Sequence, residues 1–278
     1  MTVRGLVAEA AARLAAAGVA SPHVDAELLV AHVLGVPRGR LLLADPPDAE
    51  RARAIDGLVA RRAAREPLQH LLGTAVLGPV EVAVGPGVFV PRPETETLLV
   101  RALDLVRAHP APLVVDLCTG TGALALALAH ERPDAEVHAV EVDPAALAWT
   151  RRNLEGSAVV VHEADVTVPG VLADLAGAVD LVTCNPPYVP EDAPVPPEVR
   201  ADPHGAVFAG ADGLAVVRPV AALARRLLRP GGAMAVEHDD SHPAAVRDVL
   251  TAAGFADVAT HADLTGRARL ATARRAGC

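Results

Sequence analysis

This 278-residue sequence predicts an α/β fold: a mostly parallel sheet flanked by helices and preceded by a small helical domain. Three observations carry that prediction. From Leu113 onward, short apolar runs rich in Val and Ala alternate with helical stretches, the order that builds a parallel sheet with crossover helices. The first of those runs ends in a glycine-rich turn that opens a helix. Ahead of residue 73 the apolar residues recur only at helical spacing, with Gly35 and Pro46-Pro47 as punctuation.

Taken in order, helices are expected over Leu6–Ala17, from Ser21-Pro22 to Leu34, and over Asp48–Arg65. Between Gly73 and Val90, Gly78-Pro79 and Gly85-Pro86-Gly87 break the chain into short apolar pieces, which suggests a β-hairpin linking two domains. The expected division is therefore 1–72, 73–90 and 91–278. A helix over Thr95–Ala108 leads into seven strand-like runs: 113–117, 135–142, 157–164, 178–184, 232–238, 256–261 and 268–274. Helices are expected between the early ones, then near 213–228 and 243–253. The proline-rich stretch 191–197 is a connection.

Composition narrows the function. Hydrophobic residues make up 51% and charged residues 21%, so the chain can bury a core. All 25 basic residues are arginine, which excludes a Walker lysine, a Schiff-base enzyme and a pyridoxal-phosphate enzyme. A formal net charge of -9 repels polyanions, so nucleic acid is not the expected partner. Three scattered cysteines without a CxxC pair indicate neither a disulfide framework nor a zinc site, and suit a reducing cytoplasm. No signal peptide or membrane span is expected, because charge or proline breaks every apolar run well before ~18 residues.

Two groups of residues carry chemistry. Asp116 ends the first strand, and Cys118-Thr119-Gly120-Thr121-Gly122 follows, where glycines admit a ligand to the backbone and a helix N-terminus offers N–H groups. Glu141 ends the second strand, where a carboxylate can accept from both hydroxyls of a ribose. Asp165 follows the third, in reach of an adenine amino group. Groups at the carboxyl ends of successive parallel strands converge on one crevice. Such a crevice fits a nicotinamide dinucleotide or S-adenosylmethionine; the missing third glycine favours the methyl donor.

Asn185-Pro186-Pro187-Tyr188 follows the fourth strand. Two prolines fix φ and remove two N–H donors, so the Asn185 side chain and the Pro186 carbonyl are expected to face outward as acceptors. That is a socket for an NH₂ group. Holding both hydrogens would localise a lone pair otherwise delocalised into a carbonyl and aim it at a methyl-sulfonium carbon. Tyr188, the only tyrosine, would cover the face of the planar acceptor.

With these motifs in place, the sequence resembles the release-factor glutamine methyltransferases, the PrmC/HemK family, along nearly its whole length. The resemblance rests on Glu66–Gly73, Phe89–Glu96, Asp116–Gly122, Asn185–Tyr188 and Asp263–Arg267. It implies a Rossmann-like class I SAM-dependent methyltransferase with a mostly parallel seven-stranded sheet, and a helical N-terminal domain that recognises the substrate. It also implies the reaction: methyl transfer from S-adenosylmethionine to the side-chain nitrogen of the Gly-Gly-Gln glutamine in class 1 peptide chain release factors; a cytoplasmic location and a monomer are separate expectations, and the sequence does not fix the oligomeric state. It places Phe89 on the donor and Arg92 with Glu94 at the entrance, whereas without it Arg92 and Glu94 read as a solvated ion pair. Asn-Pro-Pro-Tyr alone is shared with adenine-N6 methyltransferases acting on DNA or RNA; a dinucleotide-dependent oxidoreductase is the alternative of another class.

The sequence departs from the family at several points. Cys118 replaces a usual Gly, tolerable only at negative φ. Glu141 replaces Asp, Val166 stands where an aromatic is common near the adenine, Asp202-Pro203 replaces Glu-Pro, and Glu237-His238-Asp239 lacks a glycine two places after the glutamate. Elsewhere bland readings are expected: His238 and His242 as surface histidines rather than metal ligands, Arg61-Arg62-Arg65 as a solvated helix face, and Arg225, Arg226 and Arg229 as complements to a helix dipole.

Overall fold

The structure is a computed structural model that describes residues 2–277. Contacts divide the chain into two compact units, one of residues 1–74 with 196–201, the other of 75–195 with 202–278.

The first unit is helical: α1 (Val3–Ala16), α2 (Pro22–Leu34), a 3₁₀ turn over Arg38–Leu43, α3 (Ala49–Ala63) and the short α4 (Leu68–Leu72). Asp48 caps α3 by accepting from the Arg51 N–H at 2.8 Å. Gly35 ends α2 in the left-handed conformation that glycine adopts without strain. Leu14, Leu29, Leu41, Ile55 and Val59 are each no more than 2% exposed and form its core. The 3₁₀ turn and α4 are too short to leave a periodic signal.

The expected solvated face of Arg61-Arg62-Arg65 needs correction. Arg61 is exposed and pairs with Glu66, but Arg62 is 6% exposed and bonds Asp25 at 2.8 Å and Glu198 at 2.9 Å. Arg65 holds the same Glu198 at 2.7 Å. Burial alone would raise the Glu198 pKa; hydrogen bonds from Arg65 and Arg62 bring it down to about 2. The 196–201 turn thus belongs to the helical unit through an ion-pair cluster that spacing along α3 does not reveal.

The second unit opens with β1 (Thr74–Leu77) and β2 (Val80–Ala83), a two-stranded sheet. This hairpin is no free linker: Ala75, Leu77, Val80 and Val82 share a core with the next helix, α5 (Thr95–Val106). Then come β3 (Leu113–Leu117), α6 (Ala123–Glu131), β4 (Glu136–Glu141), α7 (Pro144–Asn153), β5 (Val160–Glu163), β6 (Val179–Cys184) and the short α8 (His204–Val207). Last are α9 (Val217–Leu227), β7 (Leu228–Glu237), α10 (Pro243–Ala252), β8 (Phe255–Ala262) and β9 (Ala268–Arg275). The seven main strands, β3 to β9, lie in the order β5-β4-β3-β6-β7-β9-β8, with β9 antiparallel to both its neighbours.

Alternation along β3 explains the layers: Val114 faces a core shared with α5 and α6, while Val115 and Leu117 face one shared with α9 and α10. Strand order reverses between β3 and β6, so the crevice of such a sheet lies at the carboxyl ends of those two strands. Leu117 pairs with Cys184 in register, and the glycine turn and Asn185 therefore leave adjacent strands at the same level.

Candidate active site

The glycine turn is held from two sides. On one side the Gly120 N–H donates to Glu141 Oε2 at 2.8 Å, while Glu141 Oε1 accepts from the Val142 and Asp143 N–H groups at 2.9 Å. On the other, Thr150 Oγ1 donates to the Gly120 carbonyl at 2.6 Å and Asn153 Nδ2 to the Thr121 carbonyl at 2.9 Å, both from α7. Thr150 and Asn153 were not among the residues the sequence singled out; a Thr and an Asn on a helix carry no motif. The turn's two glycines differ. A Cβ at Gly120 would meet no atom within 4 Å, so the space above it is open, whereas at Gly122 it would meet Leu154 at 3.1 Å. Gly122 thus serves close packing as well as the turn.

Behind the turn, Asp116 is 1% exposed and accepts from Thr119 Oγ1 at 2.6 Å and Thr183 Oγ1 at 2.7 Å. Burial pushes its pKa up to about 6, against the pull of those hydroxyls. Asp165 Oδ1 accepts from the Thr167 N–H and hydroxyl at 2.8 and 2.7 Å, which fixes its own turn after β5. Val166 is 8% exposed in the core with Leu172.

Cys118 contradicts the expectation of negative φ: its φ is +57°. The turn from β3 into α6 needs a left-handed residue there, and cysteine takes the strain that glycine avoids. Relief of about 1 kcal/mol of strain against a smaller loss of thiol packing predicts that Cys118→Gly stabilises the protein by ~0.5 kcal/mol. Urea unfolding measures it; a loss of stability would show that contact with the buried Cys184 thiol outweighs the backbone.

The Phe89–Glu96 segment also differs from the solvated-pair reading. Arg92 bonds the buried carboxylate of Asp202 rather than Glu94, and its guanidinium lies 5.1 Å from the centre of the Phe89 ring. Asp202 Oδ1 accepts in addition from the Val90 N–H at 3.2 Å, and Glu94 instead sits at the residue before α5 without a capping side-chain bond.

Asn185 and Tyr188 are joined by Thr95 and Glu237, two residues that lie in singled-out stretches of the sequence but were assigned no role there. Asn185 Nδ2 donates to Thr95 Oγ1 at 3.2 Å, Thr95 Oγ1 donates to Glu237 Oε2 at 2.8 Å, and the Tyr188 hydroxyl donates to Glu237 Oε1 at 2.9 Å. Glu237 is 2% exposed at the end of β7. Burial pushes its pKa up to about 7, against hydrogen bonds from Thr95 and Tyr188, and burial beside that carboxylate raises the Tyr188 phenol well above its usual value. An acidic residue closing the apolar run of a central strand was the available signal.

The histidines after Glu237 correct another expectation. His238 is fully buried, not on the surface, and donates from Nδ1 to the Asp239 carbonyl at 2.9 Å, leaving Nε2 unprotonated. Arg229, expected as a helix-dipole partner, lies on β7 and bonds Asp180 at 2.5 Å. Among the described residues no cluster of His, Cys, Asp or Glu is arranged to hold a metal ion.

The switch point of this sheet, with open space over Gly120, a carboxylate at the end of β4 and Asn-Pro-Pro-Tyr at the end of β6, together with the matched methyltransferase domain, defines a class I methyltransferase. The family description "PrmC N-terminal domain" matches residues 5–73 and "Methyltransferase small domain" residues 81–196. The chain is 57% identical to a release factor glutamine methyltransferase of Mycolicibacterium smegmatis, covering 98% of each, and 52% identical to one of Streptomyces coelicolor, covering 97% of each. A methyltransferase structure from Pyrococcus furiosus shares the fold at 19% identity and a TM-score of 0.51, over 72% of this chain and 91% of that one. The chain belongs to the release factor glutamine methyltransferase family. That membership decides for a methyltransferase over a dinucleotide oxidoreductase.

Proposed function

We propose that the protein transfers a methyl group from S-adenosylmethionine to the side-chain nitrogen, N5, of the glutamine in the Gly-Gly-Gln motif of class 1 peptide chain release factors. The observation that carries this reading is the direction of the Asn185 amide. Its Nδ2 is turned back to Thr95, which leaves Oδ1 as an acceptor for one hydrogen of an incoming NH₂ group. The adjacent Pro186 carbonyl takes the other hydrogen, Pro187 stiffens the turn, and Tyr188 covers the amide face.

The residues at the glycine turn suit the donor. Three of the roughly four lone-pair positions of Glu141 are taken by backbone N–H groups, so it keeps one, on Oε2 over the open face of Gly120, for a single ribose hydroxyl and not for the two expected from the sequence. Cys118, Thr119, Thr121 and Gly122 shape the same wall, Asp165 keeps Oδ2 for an adenine amino group, and Phe89 with Arg92 closes the entrance. When bound, S-adenosylmethionine supplies a methyl group on a sulfonium sulfur. The socket's part would be to hold the glutamine nitrogen toward that methyl group, so that transfer would exchange the donor's S–C bond for an N–C bond, with the amide's extra proton passing to water.

The helical unit, with its matched residues 5–73, is proposed as the grip on the release factor. Among the described residues no helix is long and apolar enough to cross a membrane. The test uses labelled donor with a release factor and with its Gly-Gly-Gln→Gly-Gly-Ala variant. Label is expected in the first alone, and equal label in both would overturn the glutamine assignment. S-adenosylmethionine, but not NADH, is expected to raise the melting temperature.

A further inference from the structure

We propose that Glu237 is a positioning residue for methyl transfer: as a carboxylate it sets, through the Thr95 hydroxyl, which end of the Asn185 amide faces the substrate. The inference deepens the function proposed above and rests on it for its kinetic part only.

The argument is one of hydrogen-bond direction. An ionised carboxylate accepts and cannot donate. Glu237 Oε2 therefore commits the Thr95 proton to itself at 2.8 Å, and Thr95 Oγ1 has only lone pairs left for its other neighbour, Asn185 at 3.2 Å. The group that meets those lone pairs must be the Asn185 NH₂, so Oδ1 is the atom left for the substrate. A protonated Glu237 removes the constraint. Its own O–H then donates to Thr95, the Thr95 proton turns toward Asn185, and the amide flips to present NH₂ where the substrate brings NH₂. Two donors would then oppose each other.

Glu237 reaches the opposite side of the socket as well. Its Oε1 takes the Tyr188 hydroxyl proton at 2.9 Å, so one carboxylate fixes both ends of Asn185–Tyr188 from outside that tetrapeptide. The groups facing it are Thr95 and Glu94 at the start of α5, Tyr188 and Cys184 from β6 and its loop, and Arg269 from β9, whose partner Asp239 follows β7. Burial and Glu94 hold its pKa up to about 7 while Thr95, Tyr188 and Arg269 oppose them, so the switch between the two hydrogen-bond directions falls near neutrality.

The chain's single tyrosine makes the network visible without any substrate. In protein labelled with ¹³C at tyrosine Cζ, the Tyr188 resonance is expected to titrate with a midpoint near 7, and the shift to vanish in Glu237→Gln. In methyl-transfer assays kcat of the parent is expected to rise through the same midpoint. Glu237→Gln should lower kcat at pH 8 by about tenfold to a hundredfold and flatten its pH profile, with KM for the release factor and donor affinity changed less than about twofold. Should Glu237→Gln fold poorly, Thr95→Val keeps the tyrosine titration yet loses kcat, and Thr95→Ser restores it. A Tyr188 signal flat between pH 5 and 9, or a Thr95→Val enzyme as fast as the parent, overturns the proposal. If the parent transfers no methyl to a release factor while Tyr188 titrates and Glu237→Gln abolishes the titration, the proposed function fails and the carboxylate's command of the network stands.

Discussion

An Asn185→Ala protein should bind S-adenosylmethionine as the parent does and methylate its target roughly a thousandfold more slowly, a loss of about 4 kcal/mol in transition-state stabilisation. The size follows from what the side chain does. A glutamine nitrogen shares its lone pair with its own carbonyl, and attack on carbon requires the NH₂ plane to rotate out of conjugation. One acceptor cannot enforce that rotation; in the proposed socket Asn185 Oδ1 and the Pro186 carbonyl would do so together. Alanine also strips Thr95 Oγ1 of its donor while leaving the Thr95–Glu237 bond, so the damage stays local to the socket. Calorimetric titration of the donor and single-turnover transfer of label separate the two quantities. Unchanged transfer would remove Asn185 from the mechanism, and weakened donor binding would move it to the cofactor side.

What the sequence made legible was whatever local chemistry dictates. The alternating apolar runs predicted β3, β4, β5, β6, β8 and β9 because each strand is punctuated by glycine, proline or a cap such as Asp143, which accepts from the Ala145 and Ala146 N–H groups at 2.9 Å. Pro230-Gly231-Gly232 signals a turn and predicts a strand from Gly232; β7 in fact begins at Leu228, and the irregular register between β6 and β7 absorbs the interruption. Buried polar residues were the least legible. Arg62 and His238 were expected in solvent, and nothing along the chain pairs Thr95 with Glu237, which are separated by 142 positions. Composition cannot announce a hydrogen bond at that range. Asn-Pro-Pro-Tyr was readable as a motif, but its hydrogen bonds to Thr95 and Glu237 were not.

Gly213 illustrates the same point and carries the second large effect: Gly213→Ala should cost about 3 kcal/mol of stability, lowering Tm by roughly 6–12 °C, and slow methyl transfer more than tenfold in protein that is still folded. At φ +69° an L-residue is strained in any surroundings, and here an added Cβ would fall 2.3 Å from the Tyr188 carbonyl oxygen and 3.3 Å from His242 Cε1. That carbonyl has nowhere to go. The Tyr188 and Val189 N–H groups both donate to the Val207 carbonyl at 3.2 and 3.0 Å, and the Val189 carbonyl accepts from Ala209 at 2.9 Å. Relief of the clash must therefore displace Tyr188, and with it the hydroxyl held by Glu237. Gly210 provides the control, because its φ of +74° is equally left-handed but its added Cβ would only touch Ala215 Cβ at 3.4 Å, an ordinary contact. Gly210→Ala should therefore lose only the strain of about 1 kcal/mol and keep its kcat. Equal losses in the two variants, measured by urea unfolding and transfer rate at one temperature, would show that backbone strain alone acts at Gly213 and that the Tyr188 carbonyl is free to yield.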